Sequence, residues 1–168
     1  MSAAVVDTNV LVAANRRGTH VTLGCALGAI GRLRSIRRNE VLVLDDGWRI
    51  LREYLQQASS AGQPGVGDAF LKWALTQRKN PRRCELVPLT QRSGDPDDFR
   101  EFPNDPDLVR FDQSDRKFVA VALASKYHPT VVNATDTDWW HFRPAFERHG
   151  LEIEFLCPEL MSESRAGG

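Results

Sequence analysis

No stretch of this sequence is apolar for anything near the ~18 residues that a membrane-spanning helix needs, so no span is expected. Cysteine is scarce and odd in number, with Cys25, Cys84 and Cys157 far apart. They supply neither the framework of a disulfide-stapled secreted domain nor a CxxC zinc pattern, and a reduced, cytoplasmic setting is expected. His20, His128, His141 and His149 form no HExxH or other metal-ligating spacing, and neither a P-loop nor a dinucleotide-type GxGxxG is present. The N-terminus has no basic flank, and Asp7 interrupts its apolar run, so a signal peptide is not expected. Net charge is missing too: 22 Lys and Arg balance 22 Asp and Glu, and the total singles out no partner.

The charges that cancel are unevenly placed. Residues 16–38 hold Arg16, Arg17, Arg32, Arg34, Arg37 and Arg38 and no acid. Residues 72–83 add Lys72, Arg78, Lys79, Arg82 and Arg83, again with no acid. Residues 92–112 carry seven acids and three arginines. Basic helical segments and one acidic loop follow from this distribution.

The 168 residues suffice for one domain with a real core. Short apolar runs at 3–6, 41–44, 85–88, 130–133 and 152–156 read as strands. Apolar residues at helical spacing separate them over 19–37, 46–58, 66–78, 115–126 and 139–149, with Ser114 as the expected cap of the fourth and Gly150 ending the last. This alternation predicts an α/β fold with a parallel sheet covered by helices on both faces, and ligands at the carboxyl ends of its strands. Residues 80–111 interrupt the pattern and hold five of the nine prolines. From about Gln91 they read as an acidic, Pro-punctuated loop, in the role of a lid, a protein-docking loop or a disordered segment. One domain over 1–157 and a disordered tail over 158–168 are expected.

Acids stand at the punctuation points. Asp7 ends the run Ala3-Ala4-Val5-Val6, where a charge is costly unless something compensates it. Asp136 follows the strand at 130–133, with Asp138 two residues on; Glu53 and Asp115 lie on or at the start of helices. Carboxylates brought together from different elements suit a hard divalent cation such as Mg²⁺ or Mn²⁺. Such an ion can activate water and neutralise a leaving oxygen in phosphodiester hydrolysis. Asn9 and Thr8 are placed to orient Asp7 or to cap the first helix. The bland alternatives are an N-cap role for Asp7, a solvated helix position for Glu53, a first-turn acid at Asp115 and a cap at Asp138. Asp45-Asp46 resemble the paired acids of phosphoacceptor receiver domains, but residues 84–90 offer no acceptor Asp, and the pair is expected to cap the helix holding Glu53.

Four segments taken in order resemble the PIN-domain nucleases: Val5-Val6-Asp7-Thr8-Asn9-Val10-Leu11, Trp48 to Leu55 around Glu53, Asp115 to Ala122, and Val131 to Trp139 with Asp136 and Asp138. Ala134 stands where that family usually has Thr or Ser, and Trp139 where it usually has Phe. The resemblance implies a three-layer α/β/α domain with Asp7, Glu53, Asp115 and Asp136 as catalytic and metal-holding residues, joined by Asp138 as a ligand. Thr8 and Asn9 would support them. It further implies a Mg²⁺- or Mn²⁺-dependent endoribonuclease acting on single-stranded RNA and leaving 5′-phosphate and 3′-hydroxyl ends. Homodimerisation and an antitoxin partner, as for the toxin of a toxin–antitoxin pair, follow from the same resemblance. Arg34, Arg37 and Arg38 are expected to meet phosphates or, alternatively, to complement a helix dipole. Trp139, Trp140 and Phe142 read as base-stacking or core residues. Two other classes are a catalytically silent PIN-like adaptor for RNA or protein and an aspartyl-phosphate phosphatase. The latter usually needs an acid two residues after its first, where Asn9 stands.

Overall fold

A computed structural model describes residues 1–161. The chain forms strands β1 (Ala3–Val6), β2 (Val41–Asp45), β3 (Cys84–Val87), β4 (Gln91–Arg92), β5 (Asp95–Phe99), β6 (Thr130–Asn133) and β7 (Glu152–Phe155). The helices are α1 (Thr8–Ala14), α2 (Leu23–Asn39), α3 (Arg49–Gln57), α4 (Val66–Gln77), α5 (Arg116–Ala124), α6 (Thr137–His141) and α7 (Arg143–Arg148). Five strands make one parallel sheet in the order β3-β2-β1-β6-β7. Every residue of β1 and β2 is buried, as near-continuous apolar runs in a sheet covered on both faces require.

The strand order fixes the layers. From β1 the chain steps outward to β2 and β3, then returns across the sheet to β6 and β7. Right-handed crossovers therefore place α1 to α4 on one face and α5, α6 and α7 on the other. The contacts agree: α1 packs on α2, α3 and α4, while α5 packs on β1, β2, β6 and β5. The architecture is three-layer α/β/α. Gly67 lets α4 approach α1 closely, since a Cβ there would lie 2.1 Å from the Leu11 carbonyl oxygen.

Three expectations are corrected. Residues 91–111 are not a loose loop. Ser93 and Gly94, both at positive φ, turn β4 back into β5 as a short antiparallel hairpin. Phe99, Phe102, Leu108 and Phe111 are buried in the main core, and Phe111 packs edge-on against Trp139, Phe142 and Phe146. Four large apolar side chains anchor a segment whose acids and prolines dominate its composition. Cys25 and Cys157 form a disulfide across a separation of 132 residues, because β7 delivers Cys157 to the start of α2; Cys84 alone is free, and it is buried. The expected tail begins too early: residues 158–161 form a helical turn with Met161 buried, and the rest of the expected tail, 162–168, lies outside the described residues. Among the described residues no helix is long and apolar enough to cross a membrane.

Candidate metal centre

The sheet reverses its winding between β1 and β6, and the crevice beyond the carboxyl ends of those two strands is where doubly wound sheets bind ligands. Asp7 and Asp136 follow these two strands. Asp7 ends the β1 run and caps α1, its Oδ1 accepting from the Asn9 main-chain N–H at 3.0 Å. Its other oxygen, Oδ2, accepts from the indole Nε1–H of Trp139 at 2.7 Å. Asp136 caps α6, with Oδ1 accepting from the Asp138 N–H at 2.9 Å. Asp115 reaches the same place from the third direction. Asp112 caps a short 3-10 turn over Gln113–Asp115 through the Ser114 N–H, and α5 begins directly after Asp115. Ser114 therefore does not cap α5, whose first position follows Asp115 with no side-chain cap.

One carboxylate oxygen from each of Asp7, Asp115 and Asp136 lies within 4.8 Å of the others. Asp7 is 4% exposed and Asp115 8%. Burial pushes the Asp7 carboxyl up to about 7, against the pull of the Asn9 and Trp139 donors, with Asp136 and Glu53 adding repulsion. Burial, then the charges of Asp7, Asp136 and Asp112, push Asp115 to about 9. Asp138 stands at the rim, outside the group of three; partial burial and then the Asp136 charge raise its pKa.

Glu53 sits beside this group rather than in it. Thr8 Oγ1 donates a short hydrogen bond to one of its oxygens, and Lys117 Nζ pairs with the other at 3.0 Å. Lys117 also donates to the Ser114 carbonyl, which ties α5 to the turn carrying Asp115. Tyr54, fully buried next in sequence, donates to the Val6 carbonyl at 2.5 Å and pins α3 to the end of β1. Thr8 therefore supports Glu53 and not Asp7.

Asn9 serves the site from both ends of its residue. Its main-chain N–H holds Asp7, while its side chain donates to Asn133 Oδ1 at 2.8 Å and accepts from the Ala134 N–H at 2.9 Å. Asn133, wholly buried, donates to the Asp136 carbonyl and accepts from the Asp136 N–H. This Asn9–Asn133 pair fixes the turn that presents Asp136. It also holds the main chain of Ala134 at the end of β6.

Trp139, Lys117 and Asn133 escaped the sequence reading as site residues. Trp139 is fully buried and cannot stack on a base, and its indole N–H gives it a role a Phe could not fill. Asp45 behaves as expected, accepting from the N–H groups of Gly47, Arg49 and Ile50 to start α3. A cleft of about 490 Å³ adjoins Glu53 and Lys117 and is lined also by Arg49, Arg52 and, from the hairpin, Pro96 and Asp97. Arg34, Arg37 and Arg38 lie elsewhere. They occupy the end of α2, which leads into the amino end of β2, at the opposite edge of the sheet from the carboxylates.

No family model, curated protein or solved structure matches this chain.

The donor set is three hard carboxylate oxygens, two on the buried Asp7 and Asp115 and one on the half-buried Asp136. This set fits a hard divalent cation and is a poor one for a soft metal, since neither thiol nor imidazole takes part.

Proposed function

We propose that the protein is a Mg²⁺- or Mn²⁺-dependent endoribonuclease with a PIN-like domain, acting on single-stranded RNA. One observation carries this reading: Asp7, from the first strand, converges with Asp115 and Asp136, more than a hundred residues further on, at the switch point of the sheet with oxygens within 4.8 Å. The sequence resemblance, in which the same three acids fall in order, supports it.

Asp7, Asp115 and Asp136 would hold the cation, which would supply Lewis acidity for activating water and for neutralising charge on the leaving oxygen. The chain's own groups do the positioning. Trp139 and the Asn9 N–H hold the two oxygens of Asp7 in a fixed orientation. The Asn9–Asn133 pair holds the turn of Asp136. Lys117 neutralises Glu53 and keeps that carboxylate at the border of the cluster. Because Asp7 and Asp115 hold their protons to unusually high pH, cation binding displaces protons and tightens as pH rises.

The pairing of Glu53 with Lys117 favours one second reading, a catalytically silent adaptor, since it leaves three free acids where the family pattern has four. Cleavage of mixed single-stranded RNA in Mn²⁺, Mg²⁺ or EDTA, comparing wild type with Asp7→Asn, separates the two. Metal-dependent cleavage lost in the variant supports the nuclease. Full activity in Asp7→Asn would refute the site. Absence of both cleavage and Mn²⁺-dependent thermal stabilisation would leave the adaptor.

A further inference from the structure

We propose that the edge of the molecule remote from the carboxylates is a second RNA-binding surface, on which single-stranded RNA lays phosphates against Arg34, Arg37, Arg38 and Lys72 and a base against Trp73. The choice of RNA rests on the ribonuclease reading; the existence of a polyanion site does not.

Arg34, Arg37 and Arg38 are exposed on the last turns of α2, and Lys72 is exposed on the neighbouring α4. None of the four side chains makes a hydrogen bond or ion pair with any described residue. Arg32, on the same helix, shows the contrast: it is paired to Glu40 and to Glu154. The four unpaired cations surround two adjoining cavities that share Arg37 and Trp73. One, of about 410 Å³, is also lined by Gly62, Gln63, Lys72 and Thr76. The other, of about 340 Å³, is lined by Arg34 and Arg38. No acid lines either cavity among the described residues.

The ordinary reading of basic residues at a helix C-terminus is that they complement its dipole. Here Arg83, the residue before β3, already does so. Its guanidinium donates to the carbonyls of Ile36, Arg37 and Arg38 while lying 5.6 Å from the Trp73 ring centre. Three further arginines are thus surplus to capping. In a chain of zero net charge, four uncompensated cations in one place are complementary to a polyanion. Trp73 is half-buried between them, which suits stacking of an unpaired base. A lipid surface fits less well, because none of the exposed large apolar side chains, such as Leu23, Leu27 or Val109, lines these cavities. The two sites lie at opposite ends of strands four to five residues long, ~13–17 Å apart at the least by strand rise, so one RNA chain would have to wrap the molecule to meet both.

The test is fluorescence anisotropy of a labelled, unstructured RNA of about 20 nucleotides with the full chain in EDTA, over a series of salt concentrations. The wild type should bind, and EDTA keeps this result independent of cleavage. Replacing Arg34, Arg37, Arg38 and Lys72 together by serine should weaken binding at least ten-fold and flatten the slope of log affinity against log salt by about 2–3, since each neutralised phosphate contributes ~0.7. Trp73→Ala should weaken binding with the salt slope unchanged. Circular dichroism checks that each variant is folded. An unchanged affinity and slope in the folded quadruple variant, no binding by the wild type, or tighter binding to poly-glutamate or anionic vesicles than to RNA would each overturn the proposal.

Discussion

Replacing Asp115 by asparagine should make the cation-free protein more stable at pH 8. The carboxyl of Asp115 has its pKa raised from 3.8 to about 9 by burial and by the charges of Asp7, Asp136 and Asp112. A folded-state pKa above the unfolded value means that the folded chain holds the extra proton. Stability therefore falls as pH rises from about 4 and continues to fall until about 9, where the folded carboxyl finally ionises. At pH 8 the ceiling on this cost is ~1.4 kcal/mol for each of about four pKa units, roughly 6 kcal/mol. Asp136 raises Asp7 as well, and Asp7 itself raises Asp115, so the penalty is shared and relief at one position captures part of it. A gain of about 2 kcal/mol is expected for Asp115→Asn, which keeps the shape and removes the charge. For a chain of this size that is a rise in Tm of roughly 4–8 °C. The assay is thermal unfolding in EDTA at pH 5, 6.5 and 8. Wild type should lose stability across the series, the variant should lose less, and the two should cross as pH rises. Asp68 does not confuse the comparison: its pKa is lowered, so its contribution is already complete above pH 5 and lost only in stronger acid. Added Mn²⁺ should restore the wild type at pH 8 and do little for the variant. A wild-type Tm that climbs from pH 5 to pH 8 in EDTA, or an Asp115→Asn protein less stable than wild type at pH 8, would refute the reasoning.

Two further outcomes are expected. Trp139→Phe keeps most of the buried ring but removes the N–H that holds Asp7 Oδ2; the loss of a charge-assisted hydrogen bond, ~1.5–3 kcal/mol, should appear as weaker Mn²⁺ stabilisation at neutral pH, read by calorimetric titration, while near-ultraviolet circular dichroism shows the core intact. Phe111→Ala should cost about 3–5 kcal/mol, measured by urea unfolding, because Phe111 joins the insertion to Trp139, Phe142 and Phe146; a cost under 1 kcal/mol would mean that the insertion is not part of the core.

The five strands of the parallel sheet were legible because each follows a short, largely apolar run, and Asp7 and Asp136 because each breaks the sequence at the end of such a run. Two parallel strands that end in acids needed only the sheet order to become neighbours. Asp115 was legible by type, but its local geometry was not: the sequence reads as a helix from 115 with Ser114 as its cap, whereas Gln113–Asp115 form a separate 3-10 turn ahead of α5. The insertion was misread because acids and prolines hid its core residues. Phe99, Phe102, Leu108 and Phe111 recur at neither helical nor strand period, so no pattern announced them. The bond between Cys25 and Cys157 depends on where β7 ends relative to α2, which an odd count of distant cysteines conceals. The role of Trp139 was invisible for a related reason. Its N–H meets a residue 132 positions away, and only the tertiary fold sets that distance.

The number of donors each buried acid receives separates structural carboxylates from those of the candidate site. Asp45 accepts three main-chain N–H groups where it starts α3. Asp68 accepts from the N–H groups of Ser59 and Gly65 and from the Asn15 amide, and these donors hold its pKa below the ordinary value. Both acids are satisfied by the fold itself and call for nothing more. Asp7 receives two donors and is still raised to about 7; Asp115 faces two other acids, and no N–H donor enters the causes of its shift. A cluster whose task was only to cap helices would collect donors as Asp45 and Asp68 do. Asp7 and Asp115 converge on Asp136 with too few donors to offset their burial, and each holds its proton to unusually high pH; a divalent cation would replace those protons with stronger compensation. That shortage, more than the number of acids, is the physical argument for reading Asp7, Asp115 and Asp136 as a binding site.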